Sequence, residues 1–227
     1  LSVPVNAALG PLDAGCAARA VAALGQGYAV AKIKVGVDAV DAELSRLRAL
    51  NVATGGRLRL RLDANCAWPD ADAWRFLTAA ADLPIDGVEE PLAAPTTARL
   101  ARLQAALPFA LAVDESLALL GLDAILDAAA VRRLVIKPAR AGGIVATLAL
   151  AAQARQAGVE VVLTSVVDSV VGVAAAAHLA VALGGQGDLA HGLATGEWLA
   201  ADLAPPLPIV GGRLALPDAP GLGFDPD

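Results

Sequence analysis

Five short apolar stretches in this chain end in charge, and they recur at nearly equal spacing. They are Ala31-Lys-Ile-Lys-Val35, Leu60-Arg-Leu-Asp-Ala-Asn65, Gly87-Val-Glu-Glu-Pro91, Leu111-Ala-Val-Asp-Glu-Ser116 and Val135-Ile-Lys-Pro138. The charges run cation, anion, anion, anion, cation. Asp63 and Glu89 are 26 residues apart, Glu89 and Asp114 are 25 apart, about one strand-plus-helix unit each time. A chain that repeats this unit builds a parallel sheet covered by helices, and its strands are apolar on both faces. The alternation continues to both ends. Strands are expected near 3–8, 29–35, 58–63, 87–89, 110–114, 133–137, 159–164 and 188–190. Between them, helices are expected after Asp13, Asp38, Pro69, Thr96, Leu122, Gly143 and Val170, each stopped by Gly, by Pro or before the next strand. Eight strands and seven intervening helices make an α/β, TIM-like (β/α)7β barrel over 1–203. From 204 to 227 Pro and Gly dominate, and this part reads as a tail with one short strand, 213–216, that leaves the barrel.

A length of 227 residues suits one such barrel. The core must be aliphatic, because 57% of residues are hydrophobic and only 3% aromatic. A net charge of −6 with no basic stripe argues against nucleic acid as a partner. Cys16 and Cys66 are too few for a disulfide framework and suit a reducing, cytoplasmic setting. The apolar stretch 166–185 is interrupted by Asp168, Ser169 and His178 and stopped by Gly184-Gly185, so it reads as a buried helix and not as a membrane span. The sequence has no Met and starts almost inside a strand. A further N-terminal part is therefore expected outside it.

In a (β/α) barrel the C-terminal ends of the strands form one rim, where such enzymes keep their sites. Side chains alternate along a strand, so Lys32 and Lys34 share a face. Asp63, Glu89 and Asp114 then fall on adjacent strands. Three carboxylates this close repel unless a cation compensates, and ligation by oxygen alone favours Mg²⁺, or Mn²⁺. Lys34 and Lys137 flank that site from opposite sides, and a desolvated lysine beside another cation can act as a base. Singly, Asp114 reads equally as a helix cap and Glu89 as an ion-pair partner; five charges in order on consecutive strands favour one shared site. Arg57, Arg59 and Arg61 have the parity of Asp63 and are expected to form ion pairs in lower barrel layers, with Glu160 as a candidate partner. His178 reads as a core residue, and Cys66 as packing. His191 follows the last strand, within reach of the rim.

In this order the motifs resemble the enolase superfamily, and within it the o-succinylbenzoate synthases. Lys32-Ile-Lys34 is similar to the Lys-x-Lys of the second strand. Asp63-Ala-Asn65, Glu89-Glu90-Pro91 and Asp114-Glu115-Ser116 are similar to the three metal-ligand strands, and Ile136-Lys137-Pro138 to the sixth-strand lysine. The stretches 163–172 and 190–196, with Asp202, resemble the seventh- and eighth-strand segments of the synthases, and Pro220–Gly223 the closing turn. The resemblance implies Mg²⁺ (or Mn²⁺) on Asp63, Glu89 and Asp114, a small carboxylate substrate and no membrane or nucleic-acid partner. It implies a hydro-lyase reaction of menaquinone biosynthesis, the dehydration of 2-succinyl-6-hydroxy-2,4-cyclohexadiene-1-carboxylate to 2-succinylbenzoate. Lys34 would be the base, Lys137 would stabilise the intermediate from the opposite face, and Lys32, Asn65 and Ser165 would contact substrate. It also implies an α+β capping domain, absent from this sequence, on which the tail would pack. The same rim serves N-acylamino acid racemases and dipeptide epimerases, which stand as the alternative. A barrel fragment without catalysis is the second alternative.

Overall fold

The computed structural model describes residues 1–184 and 187–223 of the chain. In chain order the strands are β1 (Ser2–Pro4), β2 (Ala7–Pro11), β3 (Val30–Lys34), β4 (Arg59–Asp63), β5 (Ile85–Glu89), β6 (Ala110–Val113), β7 (Arg133–Ile136), β8 (Glu160–Leu163), β9 (Ile209–Val210) and β10 (Arg213–Ala215). The helices are α1 (Cys16–Gly25), α2 (Val40–Ala53), α3 (Asp70–Ala79), α4 (Thr97–Ala105), α5 (Glu115–Leu120), α6 (Leu122–Asp127), α7 (Pro138–Ala141), α8 (Ile144–Gln156) and α9 (Val170–Leu183), with a 3₁₀ turn at Gly196–Trp198. None of the helices among the described residues is long and apolar enough to cross a membrane. Gly185, expected to help stop the last helix, and 224–227, the end of the tail, lie outside the described residues.

Strands β2 to β8 form one parallel sheet in sequence order. His191 then bridges Val5, and Gly192 bridges Thr164, both in parallel. The segment 191–192 thus stands in the eighth position and joins the sheet's two edges into a ring. The eighth strand expected at 188–190 is corrected to these two bridges, one residue further on. The Gly192 N–H donates to Leu163 O at 2.9 Å, and the Ser165 N–H to Gly192 O at 3.1 Å. A Cβ at 192 would stand 2.4 Å from Thr164 Oγ1, so the closing contact needs glycine.

The first expected strand divides in two. Ala7–Pro11 pairs with β3, whereas Ser2–Pro4 pairs antiparallel with β10. Pro4 has no N–H to give a second ladder, and the chain changes partners there. The tail strand forms a hairpin with β9 and lies on the chain's own β1, so the tail returns to the start of the barrel. The helix expected after Leu122 is preceded by α5, a separate helix that ends at Gly121, whose φ of +79° breaks the run.

Alternation then sorts the side chains. Ala31, Ile33, Leu60, Leu62, Val88, Leu111, Val113, Leu134, Ile136, Val161 and Leu163 point outward into one continuous core beneath the helices. Each fully buried leucine, such as Leu60, contributes about 2 kcal/mol by leaving water. The opposite parity faces the barrel interior, where Ala112, Val135, Val162 and Leu189 make a small separate cluster. Lys32, Lys34, Asp63, Glu89, Arg133 and Lys137 carry that inward parity.

A polar layer lies lower in the barrel. The register shifts between Leu60↔Ile85 and Arg61↔Gly87, which makes Asp86 the extra residue of a bulge. Its carboxylate accepts from Arg61 at 2.8 and 2.9 Å and from Arg133 at 2.8 Å. Burial alone would push Asp86 up, but the two guanidiniums hold it below the usual carboxylate range. Arg133 continues to Glu160 at 2.8 Å. The expected arginine layer is therefore organised around Asp86, with Glu160 bound to Arg133. Arg59 approaches Asp86 at 3.4 Å; Arg57 stays at the turn, donating to Thr54 O.

Candidate active site

The rim holds a cavity of about 200 Å³. Lys32 and Lys34 of β3, Asp63 of β4, Lys137 just after β7, and Ser165 and Thr195 line it. Asn6 and Trp198 also belong to the wall. Two lysines expected on opposite sides of one site thus open into one space.

Lys34 and Asp63 are Cα partners, as are Asp63 and Glu89, so these three side chains stand in one row across adjacent strands. The Lys32 ammonium lies one layer deeper and joins two of them, 2.9 Å from Asp63 Oδ2 and 2.5 Å from Glu89 Oε2. Burial pulls the Lys32 ammonium down, but the Glu89 and Asp63 carboxylates outweigh it and hold Lys32 above its ordinary value. Lys32 therefore stays a cation, held between the two acids one layer below Lys34.

Asp114 forms an ion pair with Lys137. Burial pushes the Asp114 carboxyl up to about 6, the Lys137 ammonium works against that, and Glu115 and Glu89 add to the rise. Among the described residues no three His, Cys, Asp or Glu side chains are gathered into a preformed ligand cluster. The donors nevertheless fit a hard divalent cation. Asp63 and Glu89 offer only oxygen, lie side by side in register and already converge on one positive charge. Asp114 would join them by exchanging its bond to Lys137, and Lys32 would yield its place between the other two.

Two further carboxylates hold the strand ends, and neither stands out in the sequence as more than a surface or motif acid. Glu90 is buried with a φ of +46°. It accepts from the N–H groups of Asp114 (2.6 Å) and Ser116 (2.8 Å), from Ser116 Oγ (2.5 Å) and from Cys66 Sγ (3.2 Å). It thereby ties the end of β5 to the end of β6. The Cys66 thiol is pushed up to about 12 by burial and by Glu90, so it stays protonated and donates. Glu43 of α2 is fully buried and accepts from Gly36 N at 2.9 Å and Val37 N at 3.0 Å. That clamps the loop directly after Lys34. An adjacent acid pair at a strand end was the available signal for Glu90. Glu43 sits in a mixed, charged helix sequence and gave none.

The remaining candidates separate. Ser165 is buried beside the cavity, its hydroxyl 2.6 Å from that of Thr195. Asn65 is exposed and lies outside the cavity lining; its N–H donates to Asp63 Oδ1 at 3.1 Å. His191 does not reach the rim cavity. It is buried in the barrel wall, where its Nδ1 accepts from Leu163 N at 3.1 Å. Burial, aided by Arg61, lowers it to about 4 and keeps it neutral. His178 is half-buried on α9, bonded to Ala174 O at 2.8 Å.

Residues 15–227 match the model of the enolase C-terminal domain-like family. The chain belongs to the enolase superfamily. It is 35% identical over 217 residues to an o-succinylbenzoate synthase of Mycobacterium leprae, covering 93% of this chain and 62% of that protein. To a muconate cycloisomerase of Acinetobacter lwoffii it is 31% identical over 204 residues, 87% of this chain and 52% of that one. The solved dipeptide epimerase of Enterococcus faecalis V583 superposes with a TM-score of 0.87 at 29% identity, over 98% of this chain and 65% of that one. The chain spans 59% to 65% of the length of the o-succinylbenzoate synthases it matches. Members of the superfamily are metal-dependent enzymes, usually with Mg²⁺.

Proposed function

We propose that this chain carries the catalytic barrel of an o-succinylbenzoate synthase, a cytoplasmic hydro-lyase of menaquinone biosynthesis. It would convert 2-succinyl-6-hydroxy-2,4-cyclohexadiene-1-carboxylate into 2-succinylbenzoate and water. The observation that carries the reading is one shared rim cavity into which Lys34 and Lys137 open from β3 and the end of β7 beside Asp63. Likeness to synthases along nearly the whole chain supports it.

Asp63, Glu89 and Asp114 are the proposed ligands of Mg²⁺, or Mn²⁺. A divalent cation there would stabilise the negative charge that grows on the substrate carboxylate as its α-proton leaves. Lys34 Nζ removes that proton from the ring carbon next to the carboxylate. The C–H electron pair moves towards the carboxylate and then back into the ring as the C6–O bond breaks. The proton on Lys34 passes to the departing hydroxide, so water leaves and the ring becomes aromatic. Lys137 supplies a fixed positive charge from across the cavity. Lys32 stays protonated behind Lys34, and the Ser165–Thr195 pair offers hydroxyls to the succinyl group. Asn65 serves the site through its N–H on Asp63. The partner is thus a small carboxylate and not a nucleic acid or a membrane.

A second reading is racemisation of an N-acylamino acid or epimerisation of a dipeptide, with Lys34 and Lys137 as opposed bases. Likeness to the dipeptide epimerase structure favours it. Incubating the protein with each substrate and Mg²⁺ separates the two. Dehydration is expected, and Lys34→Ala should lower kcat by about 10³-fold or more. Deuterium exchange at an amino-acid α-carbon without dehydration would replace the first reading by the second.

A further inference from the structure

The rim cavity has one large apolar side chain, and the proposed chemistry does not use it. Trp198 lines the cavity together with Lys32, Lys34 and Lys137, yet 58% of its surface is exposed. Such an indole face in water is unfavourable unless something covers it. Its position is well anchored. The Trp198 backbone N–H donates to Thr195 O at 3.1 Å, and the Thr195 hydroxyl is 2.6 Å from that of Ser165, just beyond β8. On the other side, Gly196 packs on Pro206, which would stand 2.8 Å from a Cβ at 196. The 3₁₀ turn is therefore held between barrel wall and tail, with the indole presented and not tucked away. Four of the other wall residues away from the charges are Ala or Gly: Ala8, Gly10, Gly192 and Ala194.

We propose that Trp198 is a specificity-determining residue, whose indole stacks on a flat conjugated ring and selects ring carboxylates over flexible amino-acid substrates. This deepens the dehydratase reading and rests on it. The lysines and acids recognise a carboxylate of any substrate and so cannot choose between ring and chain. A planar π-surface at the same rim can, because stacking needs a flat partner. A preformed wall gives this preference without an ordering cost on binding.

The test uses Trp198→Ala and Trp198→Phe in the protein with Mg²⁺. KM for the cyclohexadiene carboxylate should rise about tenfold in Trp198→Ala with kcat nearly unchanged, and Trp198→Phe should recover most of it. KM for an N-acylamino acid should move less than about threefold. Binding is read separately by tryptophan fluorescence with 2-succinylbenzoate. Quenching is expected in the parent protein and should vanish in Trp198→Phe, since the other two tryptophans, Trp68 and Trp74, lie outside the cavity. No quenching in the parent, an unchanged KM for the ring substrate, or equal losses for both substrates would overturn the proposal. Trp198-dependent quenching without dehydration would keep the ring contact and remove the dehydratase reading. Dehydration indifferent to Trp198→Ala would do the reverse.

Discussion

The proposed role of Lys34 as a base requires its Nζ to return to the same place in every turnover, and its backbone shows how this is arranged. The strand that carries it ends at Lys34 and runs on into Gly36, whose Cβ, if present, would strike Ala67 at 2.6 Å. The N–H groups of Gly36 and Val37 are both held by the buried Glu43 carboxylate. Both N–H groups depend on this one buried acceptor, and leaving buried donors unpaired is costly. Glu43→Ala should therefore destabilise the fold by about 3 kcal/mol in urea unfolding and also lower kcat; Glu43→Gln should restore most of the stability, because its amide oxygen still accepts. Loss of stability with kcat untouched would mean that the clamp does not position Lys34. The rim charges themselves could be read from sequence, because a charge at the end of an apolar run has few other places to go. Glu43 and Trp198 could not. A buried acid in a helix with the composition of α2 looks like any solvated one, and an indole near a Pro-rich tail looks like packing.

Strands and helices were readable wherever one period dominates. β3, β4 and α9 follow the apolar runs that announce them, and Thr96 caps α4 by accepting from Arg99 N at 3.2 Å. The failures lie where pairing, not composition, decides. Nothing in Ser2–Pro11 says that its two halves join different sheets. The eighth position is held by two bridges, because Gly192 against Thr164 closes the ring without a full strand. Asp86 is hidden by a bulge that turns it inward against the strand's parity. Gly87 beside it is the space that Arg133 fills. A Cβ there would stand 2.4 Å from the Arg133 guanidinium, which is locked between Asp86 and Glu160. Gly87→Ala should then cost about 2 kcal/mol or more, seen as a lower urea midpoint with an unchanged slope. His191, in the closing segment, gives this region a pH dependence. Its folded value of about 4 lies below its ordinary 6.5. Between those values the unfolded chain binds the extra proton, so stability is full above pH 6.5 and falls as pH drops towards 4, by up to about 3 kcal/mol. Urea unfolding of His191→Asn across pH 4–7 should show a flatter profile than the parent; parallel profiles would contradict the burial argument.

The whole molecule brings three anions and three cations to one end of a ring whose interior is otherwise apolar or internally paired. Asp63, Glu89 and Asp114 face Lys32, Lys34 and Lys137, three for three. That pairing lets the barrel fold with its acids close together, since Lys32 bridges two of them and Lys137 pairs with the third. It also makes the amines competitors for any cation the acids bind. A divalent ion would carry twice the charge of Lys32 at the same oxygens and would release the ammonium towards the substrate space. Binding to the folded chain alone raises stability by about 2.7 kcal/mol at a concentration a hundred times Kd. For a chain of this size that is a rise in Tm of about 5–10 °C. Mg²⁺ titration followed by thermal unfolding should show it, and EDTA should reverse it. Asp63→Asn and Glu89→Gln should abolish the shift, because each leaves Lys32 to hold a single partner and removes half of the site that is already formed. Asp114→Asn is the sharper variant. It frees Lys137 and removes an acid that must be drawn across to take part, so a smaller shift places Asp114 on the ion. A shift as large as the parent's would leave the metal on Asp63 and Glu89 alone and assign Asp114 to the orientation of Lys137.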